Sequence, residues 1–525
     1  VGSIGAGGAK SPSDALAGDN GRTTLRRLNR IEYNLTVRDL LGTTTTPGDQ
    51  MPEDQSADGF DTVGEFLAIE SKHISALQGS AMQLVEELYA RPATDAWRRK
   101  VMPCALTSGA EATCARQILT AFARRAFRRP ATGAEIDRLM ALVDKARTGA
   151  TYDDGLKAAL SAILISPHFI YREETSIAPG GGEPKALNAF ELATRLSYFL
   201  WSTMPDDVLA ASADSGKLTL DPAELGAQID RMLKDDKSST LSTHFVNSWL
   251  TIYRLDSAAP DSGVYPAFDE ELRTSAGTET ITFFSHLISE NLPLSNLIDA
   301  DFTYANARLG KQYGVAITGT GFSKVSLAGT PRAGILGQTS FLMGTSKPNR
   351  SSPVSRGDWI LERLLCAATP PPPANLNIGD LKEPTPGISG RQVLEEHRQN
   401  PVCQSCHQLI DPMGLGFENF DGIGAYRTMD NGAAVDARGT YPDGTNFNGA
   451  IELAKLIGKD PRYPACITSK LLTYGVGRPF SSESGLYYAT AIAARAQAAQ
   501  QSQWRSWIAM VASSEAFRMN RPDAP

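Results

Sequence analysis

No run of about 18 apolar residues occurs in this chain, so no segment reads as a bilayer-spanning helix. An excess of basic charge is also missing. Against 58 Asp and Glu stand 51 Lys and Arg, a net charge of -7, which leaves no electrostatic footprint for nucleic acid. G-x-S-x-G, H-E-x-x-H, G-x-x-x-x-G-K-[ST] and the Rossmann glycine fingerprint are all absent, which removes the chemistries those signatures carry. No fixed-period repeat is present, so a solenoid or propeller is excluded. Cysteine and histidine are both scarce, at 6 each in 525 residues.

What is present is a globular composition, 42% hydrophobic and 21% charged. At 525 residues the chain is too long for one ordinary core. It opens on Val-Gly-Ser-Ile-Gly-Ala-Gly-Gly-Ala-Lys, with neither a charged n-region nor an apolar h-region. Such a start fits a flexible tether behind a processed lipoprotein cysteine, and residues 1–22 are read as that tether.

Helical periodicity dominates the rest. Leu28, Ile31, Leu35 and Leu41 fall on nearly one face, with Gly42 as C-cap. Ile118, Leu119, Phe122 and Ala126 repeat the pattern over residues 115–128, and Pro130 ends that helix. Thr132 and Glu135 form a capping box for a helix over 133–147. Further helices are expected near 155–165, 188–201, 223–234, 238–251, 269–290, 355–366, 391–398, 450–458, 464–474 and 503–518. Turn residues around 433–448 point to one short β-hairpin, and Pro/Gly-rich linkers stand at 176–186 and 369–387. The fold class expected is mainly α: several small helical modules packed into one body, with a C-terminal haem segment and a short β-hairpin. The modules are placed at 23–100, 101–175, 187–315, 329–430 and 431–520.

The segment Cys403-Gln-Ser-Cys406-His407 is C-x-x-C-H, the attachment pattern of a c-type haem. Two thiols must reach the two vinyl groups of the porphyrin, and the next residue must give its imidazole to iron. Chance placement of so few Cys and His residues yields the pattern on the order of once in a thousand such chains. A zinc site needs a partner C-x-x-C or H-x-x-x-H, and neither is present. One covalent haem c per chain is therefore expected, on Cys403, Cys406 and His407, with His407 as the metal ligand. Of the other four cysteines, Cys104 and Cys114 bracket a short polar loop that a disulfide closes, which leaves Cys366 with Cys466. Four free thiols are the alternative.

Met413, six residues after His407 on a Pro-Met-Gly-Leu-Gly turn, and His397, six before Cys403, are candidates for the sixth iron position. An open position is the third alternative. His168, His244, His286 and Met343 are further candidates, and a structural role in packing accounts for these and for Met413 as well. Two haem propionates call for cations, and Arg356, Arg427 and Arg478 are the candidates, each also explained by a surface salt bridge. Asp436, Asp443 and Asn446 offer oxygens to Ca²⁺, or simply make Asx turns.

Several blocks in order resemble a known family. Leu28-Asn-Arg-Ile-Glu-Tyr-Asn-Leu-Thr-Val-Arg-Asp-Leu-Leu is one, Phe122-Ala-Arg-Arg-Ala-Phe-Arg-Arg-Pro a second, and Glu191-Leu-Ala-Thr-Arg-Leu-Ser-Tyr-Phe-Leu-Trp-Ser a third. Arg332-Ala-Gly-Ile-Leu-Gly-Gln, Ser352-Pro-Val-Ser-Arg-Gly and the stretch from Cys403 to the Glu-Asn-Phe-Asp ending at Asp421 make a fourth, and Leu471-Leu-Thr-Tyr-Gly-Val-Gly-Arg478 a fifth. The chain resembles, over about residues 24–519, the multidomain c-type cytochromes of planctomycetes and myxobacteria, built from a string of domains of unknown function. The resemblance implies a mostly helical, haem-bearing secreted protein and carries no reaction with it.

Three functions compete. The first is a peroxidase- or oxygenase-like haem enzyme on a small organic substrate, with His397, Tyr474 and Arg478 as candidates for the polar catalytic groups. The size of the body preceding the motif favours it, since a carrier needs only about 100 residues. The second is an electron-transfer cytochrome with both axial sites filled, working with a redox partner. The third is a polymer-binding module with an auxiliary haem. Each places the chain in the periplasm, on the outer membrane by a lipid anchor, or outside the cell.

Overall fold

A computed structural model describes residues 25–174, 184–367, 369, 387–399 and 401–520. The proposed tether and most of the two linkers lie outside these residues. The described chain is mainly helical, with short antiparallel strand pairs. Two compact units are distinguished: residues 1–241, 471–485 and 509–525 form the first, and residues 242–470 and 486–508 the second. Among the described residues, no helix is long and apolar enough to cross a membrane.

In the first unit the helices Arg30–Leu41, Ser71–Ala90, Glu111–Ala126, Gly133–Ala146 and Tyr152–Leu164 share one core. Asn29 caps Arg30–Leu41 in a box with Glu32, and Gly42 ends it at φ 70°. Its buried stripe is Tyr33, Val37, Leu40 and Leu41. The expected stripe was one step out of phase: Ile31 and Leu35 are only half-buried, because Tyr33 and Val37 face the core instead. Ile118, Leu119, Phe122 and Ala126 are buried as the periodicity predicts, and the Thr132–Glu135 capping box forms. Cys104 and Cys114 are joined by a disulfide. Two strand pairs link distant sequence, Arg26–Arg27 with Tyr171–Arg172 and Met519–Asn520 with Lys185–Ala186. Arg195 fixes the latter, donating to the carbonyls of Phe517 (2.6 Å) and Met519 (3.1 Å) while pairing with Glu174.

The second unit is built around the 20-residue helix Glu270–Ser289, whose Phe284 packs edge-to-face on Trp504 at 4.7 Å. The helix expected over 238–251 is instead a π turn, Leu241–Phe245, followed by Val246–Trp249. The Trp249 indole N–H donates to the carbonyl of Arg363 (2.8 Å) at the end of the helix Pro353–Arg363. Just beyond, Cys366 is joined to Cys466 by the second disulfide. The expected hairpin forms as Arg438–Thr440 with Asn446–Asn448, preceded by the smaller pair Met429–Asp430 and Ala433–Ala434.

Candidate functional site

The C-x-x-C-H segment lies on the helix Pro401–Leu415, in the second unit. The Pro-Met-Gly-Leu stretch expected to turn continues this helix, with Pro412 inside it. Tertiary contact overrides the local breakers. The helix crosses Pro353–Arg363 so closely that a Cβ on Gly357 would overlap the Ile410 carbonyl oxygen, and a Cβ on Gly414 would overlap that of Pro353. Only glycine at both places lets the two backbones touch.

On such a helix, Cys403, Cys406, His407, Ile410 and Asp411 form one stripe at i, i+3, i+4, i+7 and i+8. Cys403 and Cys406 belong to neither disulfide and are half-buried. Toward the helix crossing, Ile410 and Asp411 are buried. His407 Nδ1 lies 2.8 Å from Asp411 Oδ1. A carboxylate oxygen accepts, so Nδ1 donates, and in the neutral ring the Nε2 lone pair is then free. The second Asp411 oxygen is 3.7 Å from Arg398 Nε. Asp411, absent from the sequence-level candidates, betrays itself only as an acid one helical turn beyond the histidine.

His397 ends the helix Gly390–His397, which Ser389 caps and which buries Leu394. Its ring meets that of His407 edge-to-face, centroids 4.8 Å apart. Burial, then the neighbouring His407, hold the His397 imidazole below its ordinary pKa, against a smaller opposite pull from Asp411. Met413 is fully buried on the same helix as His407.

Of the three arginines expected to face propionates, Arg356 and Arg427 contact protein groups. Arg356, fully buried, donates to the carbonyls of Phe417 (2.8 Å), Phe420 (2.9 Å) and Asp421 (2.8 Å), shaping the turn after the haem-motif helix. Burial lowers its pKa to about 10. Arg427 pairs with Glu418 (3.1 Å) and Asp430 (2.7 Å) and donates to Ser351 Oγ (2.9 Å). Glu418 also accepts from Ser351 (3.0 Å), and burial pushes its carboxyl up. Gly357, Gly414 and Glu418 thus build the site without entering its chemistry, a role no local motif marks.

Beside the same helix lies a cavity of about 650 Å³, lined by Arg391, Arg398, Leu415, Asp436, Arg438 and Phe447 among others. Its arginines are partly engaged: Asp436 binds Arg438 through both oxygens (2.9 Å each), and Arg391 donates to the Asp436 carbonyl (3.0 Å). The Arg438 hydrogen bonds pull the Asp436 carboxyl down to about 2. Asp443 caps Thr445 N–H and Asn446 accepts from Thr440, so the three oxygens read for Ca²⁺ serve turn and hairpin. Among the described residues, no group of three or more His, Cys, Asp or Glu forms a metal cluster.

Tyr474 and Arg478 belong to the first unit, not to the one that holds His407. The Tyr474 hydroxyl, buried, is 3.1 Å from Ser202 Oγ, and Arg478 stacks on Phe480. His168 also sits in the first unit, between Glu173 (2.8 Å) and Glu135 (3.2 Å). In the second, His286 stacks on Tyr304, and burial pushes His244 down to about 4. Met343 is buried.

Five family models match the chain in succession, each described as a protein of unknown function: DUF1587 over residues 26–90, DUF1595 over 114–174, DUF1592 over 187–315, DUF1588 over 332–430 and DUF1585 over 443–517. The chain is a string of five such domains. The C-x-x-C-H helix and its crossing partner both fall in the fourth, DUF1588. No curated protein and no solved structure matches the chain.

Proposed function

We propose that Cys403, Cys406 and His407 hold one covalent haem c, and that the chain is an extracytoplasmic haem oxidoreductase of the multidomain c-type cytochrome kind, acting as a peroxidase- or oxygenase-like enzyme on a small organic substrate. One observation carries the reading: two thiols outside the disulfides share a helix stripe with an imidazole whose Nδ1 is bound to a buried carboxylate.

That donor set fits the group. Thiols at i and i+3 of a helix stand on one face, roughly 5–6 Å apart at Cβ, within reach of one porphyrin edge. Proton donation from Nδ1 to Asp411 leaves Nε2 as the ligating atom, the arrangement metal-binding histidines commonly use. When bound, the haem supplies electron-transfer and oxygen or peroxide chemistry at iron. The chain's own residues do the rest. Cys403 and Cys406 tether, His407 ligates, and the crossing at Gly357 and Gly414 fixes the helix that bears them. The 650 Å³ cavity beside that helix is of the size that admits a small organic molecule, with Arg398 as a cation on its wall. His397, packed on His407 with ring centroids 4.8 Å apart, adds a second polar group with capacity to take or give a proton.

Two disulfides in one chain support an oxidising compartment, the periplasm, outer-membrane surface or exterior. Peroxidase-activity staining of a denaturing gel tests the reading, together with the intact mass and a pyridine haemochrome spectrum. A stained band heavier than the bare chain by one haem is expected, lost in Cys403→Ser/Cys406→Ser. An unstained chain of bare mass, purified from cells competent to attach haem c, sinks it.

A further inference from the structure

We infer that Asp411 is a positioning residue for His407 that strengthens the imidazole as an electron donor and so biases the iron toward its ferric state. This rests on the haem reading above and extends it to the redox balance of the site. The geometry is specific. Asp411 lies one helical turn beyond His407, its Oδ1 2.8 Å from Nδ1. Its side chain is fully buried, beside the crossing where Ile410 and Gly414 meet the helix Pro353–Arg363. The hydrogen bond is therefore shielded from water, where it is stronger than at a surface.

The carboxylate is also concentrated on the histidine. Its second oxygen accepts no hydrogen bond among the described groups, and its ion pair with Arg398 is long, at 3.7 Å. Accepting the Nδ1 proton makes the imidazole more basic at Nε2, as carboxylate partners of metal-bound histidines do. The ferric ion carries one positive charge more than the ferrous, so a more anionic ligand stabilises it preferentially and lowers the reduction potential. A helix carbonyl in the place of Asp411 would lack the charge and give a smaller effect.

The full-length holoprotein tests this with Asp411→Asn, which keeps size and shape but removes the charge, and with Asp411→Glu and Arg398→Gln. Covalent haem is first scored by staining. Wild-type protein without it ends the haem reading itself and leaves this inference with nothing to act on, a failure distinct from one confined to Asp411. With haem present, the midpoint potential is read by dithionite titration, and the ferrous iron–histidine stretch by resonance Raman. In Asp411→Asn the ferrous-to-ferric ratio at fixed potential should rise tenfold or more, about 59 mV for a one-electron couple, and the stretch should fall in frequency. Asp411→Glu should lie between the two. Should Asp411→Asn not fold, Arg398→Gln decides: removing the cation beside the second oxygen should move the stretch up. Unchanged potential and stretch in folded Asp411→Asn overturn the inference, and so does an unchanged or lowered stretch in Arg398→Gln.

Discussion

Gly357 lies against Ile410 with no room for a side chain between the two backbones: a Cβ there would meet the Ile410 carbonyl oxygen. The thiol-bearing helix is held by this contact and its counterpart at Gly414. Gly357→Ala gains roughly 1 kcal/mol of helix propensity. The backbone overlap nonetheless wins, because main chain on both sides cannot rotate away. A net loss of about 1–3 kcal/mol in chemical denaturation is expected. An alanine variant as stable as the parent would show that the helices do not cross here.

The two disulfides close very different lengths of chain, with separations of 10 residues for Cys104–Cys114 and 100 for Cys366–Cys466. On the chain-entropy model, closing the first contributes about 3 kcal/mol and the second about 5 kcal/mol. Paired Ser substitutions should therefore destabilise in that order, read by denaturant titration under non-reducing conditions. Equal losses, or the reverse order, would mean that native-state packing and not loop closure sets their worth.

The helices with strong apolar periodicity were legible in the sequence, as Ile118, Leu119, Phe122 and the Thr132–Glu135 cap illustrate. The pairing of four cysteines was legible too, because spacing left one sensible loop. The helix through Pro412 and Gly414 was not, since both residues argue locally for a turn and only the contact with Pro353 reverses the balance. The strands Arg26–Arg27 and Met519–Asn520 are two residues each and pair with remote sequence, which leaves no local pattern to read. Arg356 and Arg427 illustrate the limit at the site: a sequence shows that a cation is near a motif, not which carbonyls and carboxylates already engage it.

Glu279 is a carboxyl with no exposed surface, accepting from Tyr313 (2.5 Å) and Thr303 (2.7 Å). Burial, only partly offset by those bonds, raises its pKa to about 7. In the unfolded chain the same group titrates near 4.3. Between these values the folded state holds a proton that the unfolded state has released, so stability falls as pH rises and levels off above 7. Glu279→Gln removes this contribution. Unfolding free energies at pH 5 and pH 8 should therefore differ less in the variant than in the parent, by an amount on the order of a few kcal/mol. An equal difference in both proteins would mean that Glu279 does not titrate on unfolding.

The spacing of His397 and His407 bears on whether the iron of the proposed haem would keep a vacant position. An iron held between two imidazoles needs a bond of about 2 Å on each side, plus about 1 Å from each nitrogen to its ring centre, so roughly 6 Å between centroids. The observed 4.8 Å, with the rings edge-to-face, is shorter than that, and His397 packs on His407. Met413 is fully buried on the same helix that would carry the proximal His407. The ferric haem should therefore be high-spin, bind cyanide readily, and keep both properties in His397→Ala and Met413→Leu. A low-spin parent that turns high-spin in either variant would identify that residue as the sixth ligand. The protein would then be a carrier, its iron closed to substrate, and the cavity lined by Arg398 and Phe447 would lose its place in the chemistry.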